Sequence, residues 1–149
     1  MKKLIIALVA LLTLTVSASA QQLTQKYNSL LERTEFYDSY GHLQGWAKYN
    51  SLLERMEYFD SYGHMIKYEQ NNTLLERKES KDTYGNTQST RNYNSLLERE
   101  EIKDSYGNVT GYRKYNELLD RLEVFNSKGT MIGYYKYNSL FNRWEYFDN

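Results

Sequence analysis

The chain has no cysteine and no proline, only two histidines, and no excess of either charge: 19 lysines and arginines face 19 aspartates and glutamates in 149 residues. Without cysteine there is no disulfide framework, no thiol nucleophile, no zinc–thiolate site and no lipid attachment through an N-terminal cysteine. The balanced charge argues against the basic patch by which a protein meets nucleic acid. The length suffices for one domain, not two. What is abundant is tyrosine, 16 residues in a chain whose mean hydropathy is −0.80.

The first twenty residues read as an export signal. Lys2 and Lys3 give a positive start, Leu4 to Val16 is an apolar run too short to span a bilayer comfortably, and Ala18-Ser19-Ala20 supplies a small-x-small cleavage pattern. Cleavage after Ala20 leaves residues 21–149 as a single repeat domain with 17 basic and 19 acidic residues. No later stretch is apolar enough to cross a membrane as a helix. The expected location is secreted, periplasmic or cell-surface.

Beyond the signal the chain repeats every 22 residues: five full units over 26–135 and a partial one over 136–149. Arginine returns at Arg33, Arg55, Arg77, Arg99, Arg121 and Arg143, each followed two residues later by Glu35, Glu57, Glu79, Glu101, Glu123 and Glu145. Glycine returns at Gly41, Gly63, Gly85, Gly107 and Gly129. No insertion breaks the spacing, so every unit stacks on its neighbours in the same way.

Each unit carries two punctuation marks. Asp38-Ser39-Tyr40-Gly41 and its copies, down to Asn126-Ser127-Lys128-Gly129, fit a type I turn capped by the first side chain. Asn-Ser-Leu-Leu, at 28–31 and equivalents, is the second. Between them lie short aromatic and branched stretches that read as strands, from Gln21–Tyr27 to Arg143–Phe147. The expected fold is an all-β array of about six 22-residue hairpin repeats, as a meander sheet or β-solenoid with polar ends capping its outer strands. The alternative is an α+β repeat, because Ser29-Leu30-Leu31-Glu32 also matches a capping box and leaves room for one helical turn.

The Arg/Glu pair, two residues apart, faces one side of a strand and forms a charge ladder that sets register. As catalytic carboxylates the glutamates would need environments that differ, and six near-identical copies do not supply them. The leucine pair (30–31 and equivalents) persists in every unit and reads as the continuous core. Repeat three replaces apolar residues with Asn71, Ser80, Lys81, Thr87 and Thr90, so those columns read as partly exposed. One aromatic column, Trp46, Tyr68, Tyr112 and Tyr134, is the candidate ligand-binding site. Such rings stack sugars or cage a quaternary ammonium group, or else cover the sheet as cross-strand packing pairs. The turn aspartates place one acid in each turn, too few oxygens for calcium, and His42 and His64 lack a third ligand column for a metal. No metal or cofactor is expected.

Residues 57–68, Glu-Tyr-Phe-Asp-Ser-Tyr-Gly-His-Met-Ile-Lys-Tyr, resemble the choline- and glucan-binding hairpin repeats of bacterial surface proteins, as do 35–46 and 123–134. Two departures stand out: one residue, where that family usually has two, separates Met131 from Gly133, and the segment from Asn50 to Phe59 is three residues longer than its Asn-Gly turn allows. Tyr37 to Leu43 and Phe59 to Met65 also look like the YD repeats of bacterial Rhs-type shell proteins, with a related likeness to MORN-type hairpins. These resemblances imply an extracellular β-hairpin array for binding or scaffolding. The leading expectation is a non-enzymatic binder of a cell-envelope or extracellular glycan. The competing one is a structural repeat whose partner is another surface protein.

Overall fold

A computed structural model describes residues 23–149; the segment expected to be an export signal falls outside the described residues, as do Gln21 and Gln22. Twelve strands follow one another: β1 (Thr24–Asn28), β2 (Arg33–Tyr37), β3 (Leu43–Asn50), β4 (Arg55–Asp60), β5 (Met65–Asn72), β6 (Arg77–Lys81), β7 (Thr87–Asn94), β8 (Arg99–Asp104), β9 (Val109–Asn116), β10 (Arg121–Asn126), β11 (Met131–Asn138) and β12 (Arg143–Asp148). Each pairs antiparallel with the next, and β1 pairs with β12 through Thr24–Glu145, Gln25–Trp144 and Lys26–Arg143. The expected all-β hairpin repeat is present, but it closes into a barrel rather than forming an open sheet or solenoid. Closure pairs the outer strands with each other, so the polar ends have no free edge to protect.

The two punctuation marks are two hairpin loops. At Asp38-Ser39-Tyr40-Gly41 the Gly41 N–H donates to the Asp38 carbonyl (3.1 Å), and the Asp38 N–H donates to that of His42 (3.0 Å). Asp38 Oδ1 accepts from the N–H groups of Tyr40 and His42 at 2.9 and 2.8 Å. The φ of Gly41, +85°, is the left-handed value this turn-and-bulge loop needs. At the other end, Asn28 Oδ1 accepts from the N–H groups of Leu30 and Leu31, both at 3.1 Å, and Glu32 takes φ 51° before β2 starts. All six copies share that left-handed residue, φ 47° to 51°. Ser-Leu-Leu-Glu is therefore a hairpin tip and not a helical turn: Asn28 caps the loop's own amides, and the left-handed residue reverses the chain.

Five bulges bend the sheet. In every hairpin closed by a glycine turn the register slips by one residue, at Gln44, Ile66, Gln88, Thr110 and Ile132. A bulge coils a strand, and five at equivalent heights carry the sheet around to meet itself. Ile132 is the single residue between Met131 and Gly133, so the departure from the choline-binding pattern is the bulge itself.

Six equivalent cross-strand pairs face inward: Gln25–Phe36, Ala47–Tyr58, Glu69–Ser80, Arg91–Ile102, Arg113–Val124 and Tyr135–Tyr146. Side chains two strands apart converge on this concave side. Phe36 stacks on Tyr58 with centroids 6.5 Å apart, and Arg91 reaches Glu69 at 2.5 Å. The outward face carries the Arg/Glu ladder, with Lys26, Lys48, Lys114 and Lys136 opposite Glu35, Glu57, Glu123 and Glu145. A lipid-facing barrel pays several kcal/mol for each such cation at mid-bilayer, so this face is built for water.

The leucines are not the core. Leu30, Leu52, Leu74, Leu96 and Leu118 are 88–92% exposed, and Leu31, Leu53, Leu75, Leu97 and Leu119 are about half exposed. Four strands into the chain the core is instead Phe36, Ala47 and Tyr58; near its end it is Val124 and Tyr135, packed by Leu122, Trp144 and Tyr146. Of the polar substitutions in repeat three, Asn71 is exposed and Lys81 and Thr87 are half-buried, as expected, but Ser80 and Thr90 are buried. Ser80 takes the inward position that Tyr58 and Phe36 hold in the first two units, where it faces a charged stretch of the interior.

Candidate functional site

The arginines organise the outer face. Arg33 donates through Nε and Nη2 to Glu35 Oε1 (2.9 and 2.7 Å), while Asn28 Nδ2 donates to the same oxygen from β1 (3.2 Å). The remaining five units repeat the pair: Arg55–Glu57, Arg77–Glu79, Arg99–Glu101, Arg121–Glu123 and Arg143–Glu145, all at 2.7–2.9 Å. These bonds outweigh the upward push of burial and hold Glu35 below the ordinary carboxylate range, with Tyr37 and Arg33 the strongest contributors; Glu145 is held low in the same way by Arg143 and Asn138. At Glu79 and Glu101 the bonds to Arg77 and Arg99 are the dominant influence, and the direction is again downward.

The candidate aromatic column lies on this outer face, between the arginines and a second set of rings. Trp46 stacks on Phe59 of the next strand (centroids 3.8 Å, planes 12° apart), and the Arg33 guanidinium of the preceding strand lies 4.9 Å from its centroid. Tyr112 sits between Phe125 (4.7 Å) and Arg99 (4.1 Å), and Tyr134 between Phe147 (5.1 Å) and Arg121 (4.2 Å). Partners from strands on opposite sides cover both faces of each ring. Tyr68 differs: Arg55 lies over it at 4.2 Å, but its partner on the far side is Lys81. Thr90, buried, interrupts the column between Tyr68 and Tyr112. Three of the four candidate rings are thus consumed in cross-strand packing worth about 0.5–1.5 kcal/mol per aromatic pair.

The signature glycines occupy the turns. Gly41, Gly63, Gly85, Gly107 and Gly129 have φ between 83° and 91°. The aspartates beside them are turn caps: Asp82 and Asp104 bond most strongly to the side chains of Asn86 and Asn108, and at Asp38 and Asp60 bonds from His42 and His64 overcome burial; all four are held below the ordinary range. The imidazoles of His42 and His64 lie 3.2 and 3.1 Å from those carboxylates. Among the described residues no cluster of three or more His, Cys, Asp or Glu side chains is arranged to hold a metal ion.

Three features escaped the sequence. First, the two barrel rims present apolar tips: six Leu-Leu or Leu-Phe loops at one end, and Tyr40, Tyr62, Tyr84 and Tyr106, 81–90% exposed, at the other. The clue was present in Asn-Ser-Leu-Leu, since a capping asparagine marks a loop. Second, the interior from β5 to β9 is charged. Arg91 binds Glu69, Arg113 binds Glu100 (Nε to Oε2, 2.7 Å), and Tyr58 donates to Glu69 at 3.3 Å. Burial pushes Lys67 and Lys78 down and the Tyr58 hydroxyl up. Glu69 and Arg91, of opposite sign and 22 residues apart, were the visible signal. Third, an open groove of about 540 Å³ follows the closing seam of the barrel, lined by Lys26, Tyr37, Asp38, Arg143 and Glu145 among others.

No family model matches the chain, and no curated protein does. Among solved structures it is similar to the X-ray structure of the Arabidopsis thaliana protein AT5G01750, with a TM-score of 0.62 over 86% of this chain and 80% of that one. At 10% identity the likeness concerns the fold alone. Among the described residues no helix is long and apolar enough to cross a membrane.

Proposed function

We propose that this chain is a non-enzymatic, exported barrel that acts as a structural or protein-interaction scaffold through its rims. The observation that carries this reading is the ring of hairpin tips. Five leucines stand at least 88% exposed at equivalent positions, with Leu140 at 83%, where they contribute nothing to the core. Exposed apolar patches of this extent mark contact surfaces. The covered faces of Trp46, Tyr112 and Tyr134 support assigning those rings to packing.

A second reading retains a glycan ligand, favoured by the polar groove at the seam and by Tyr68, whose ring has no aromatic stacking partner among the described residues. One experiment separates the two. The purified chain is incubated with isolated cell envelope and with insoluble polysaccharides, beside a Trp46→Ala/Tyr112→Ala variant and a Leu52→Ser/Leu96→Ser variant. The scaffold reading expects envelope binding to fall with the leucine variant and to persist with the aromatic one. Polysaccharide binding lost only in a folded aromatic variant would overturn it.

A further inference from the structure

The two rims of the barrel are built from one repeat, so they share one spacing. Six loops of the Asn-Ser-Leu-Leu type join β1 to β2, β3 to β4 and onward to β12; five glycine turns join the intervening pairs, and the sixth place on that rim is where β1 begins and β12 ends. In a closed barrel of twelve strands, loops recur every second strand on both rims. The leucine tips of one barrel therefore meet the tyrosine turns of another at the same circumference and the same angular step.

The chemistry of the rims matches as well. Twelve apolar side chains stand on the first rim, six of them more than four-fifths exposed. With roughly 100 Å² available from a side chain of this size, the ring offers on the order of 800 Å², the share each partner contributes to a standard stable interface. On the other rim, Tyr40, Tyr62, Tyr84 and Tyr106 present rings that pack on apolar groups while their hydroxyls meet water.

Two other occupants fit less well. Glu32, Glu54, Glu76, Glu98, Glu117 and Asp120 are exposed on the leucine rim. Two such rims face to face would set like charges against each other, and a lipid surface would have to take in carboxylates at the depth of the leucines. On the tyrosine rim the aspartates are turned into their own loops: Asp60 Oδ1 accepts from the N–H groups of Tyr62 and His64 at 2.9 and 2.8 Å. His42, His64 and Lys128 stand exposed there instead.

We propose that copies of this chain stack end to end, the leucine rim of one on the tyrosine rim of the next. The proposal rests on the scaffold reading and names its partner as a second copy. The contact is heterologous and does not close, so it grows into a linear stack.

Sedimentation velocity across a range of concentrations tests it with three proteins: the parent, a Leu30→Ser/Leu52→Ser/Leu74→Ser/Leu96→Ser variant, and a Tyr40→Ser/Tyr62→Ser/Tyr84→Ser/Tyr106→Ser variant. The parent should form a concentration-dependent series of oligomers, and each variant alone should be monomeric. An equimolar mixture of the two variants should give a heterodimer and nothing larger, because each keeps one competent rim. As a check independent of how the multiple variants fold, a Leu52→Cys/Tyr62→Cys chain, free of other cysteines, should give a ladder of disulfide-linked species under mild oxidation. A series ending at the dimer would point to like rims meeting and overturn the proposal. So would a tyrosine variant that still dimerises, or a parent that stays monomeric. A monomeric parent whose envelope binding depends on Leu52 and Leu96 would leave the scaffold reading standing without self-stacking. A monomeric parent that binds polysaccharide through Trp46 and Tyr112 would overturn both.

Discussion

From β10 through the seam to β4 the barrel interior is mainly apolar, built on Val124, Tyr135, Phe36, Ala47 and Tyr58 with Gln25 buried at the seam; from β5 to β9 it is charged, built on Glu69, Arg91, Glu100 and Arg113. The backbone does not register the change. Both halves have the same glycine turns, the same asparagine-capped loops, the same bulges and the same Arg/Glu ladder outside. Register and curvature are therefore set by the turns and the outer columns, and the interior needs only local complementarity. A closed barrel also forbids identical inward columns, because six equal side chains at one height leave either a clash or a void. Variation inside and repetition outside are two consequences of closure.

Acid should have the largest effect, and should strike both halves alike. The folded-state pKa values of Glu35, Glu79, Glu101 and Glu145 and of the four turn aspartates are depressed. For such groups the unfolded chain binds more protons in acid, so their stabilisation is complete above the unfolded value near pH ~4 and is lost as the pH falls through the folded value. Urea midpoints should hold between neutrality and mild acid and drop steeply below. A flat profile down to pH ~2.5 would show that the ladder and caps do not hold the folded state.

Point substitutions inside separate the halves. Tyr58→Ala removes the most buried ring of the apolar half and should cost about 3–5 kcal/mol in urea unfolding. Arg91→Met should cost about as much, for a different reason: it strands the Glu69 carboxylate without its buried partner. The distinction appears on the second substitution. Adding Glu69→Leu to Arg91→Met removes the stranded charge and should restore stability to the parent's level or above it. A double variant no better than the single would mean that Tyr58 and Lys67, which also contact Glu69, depend on its charge.

What could be read from the sequence follows the same division. The 22-residue period, the glycine turns and the strands were legible because they are local and repeated five or six times. Closure was not, because it depends on the number of units and on a bulge that leaves no mark beyond one extra residue at Ile66 or Ile132. The interior was misread because Ser80 suggested a wet column, when polarity there answers polarity across the barrel. The aromatic column lies on the outer face, and the sequence did not show that its rings are covered by Phe59, Phe125, Phe147 and the arginines.

A smaller effect is expected at the loops. Asn50→Ala removes the oxygen that caps the amides of Leu52 and Leu53 and the amide that reaches Glu57. By analogy with lost caps elsewhere it should cost about 1 kcal/mol. Thermal unfolding in either half of the barrel should give the same value at the equivalent Asn94, since the loops do not sense the interior.

The smallest effect should come from the most persistent apolar residue. Leu52 recurs as Leu30, Leu74, Leu96, Leu118 and Leu140, which for an ordinary repeat would mark the core. It is 90% exposed and belongs to neither core cluster. Leu52→Ser should change the free energy of unfolding by no more than about 0.5 kcal/mol, as surface positions do. A loss of 2 kcal/mol or more would return the leucines to the core and remove the leucine rim as a contact surface. If the change is small, folding does not account for six repeated leucines at the tips of six loops, and what keeps them apolar is the surface they meet.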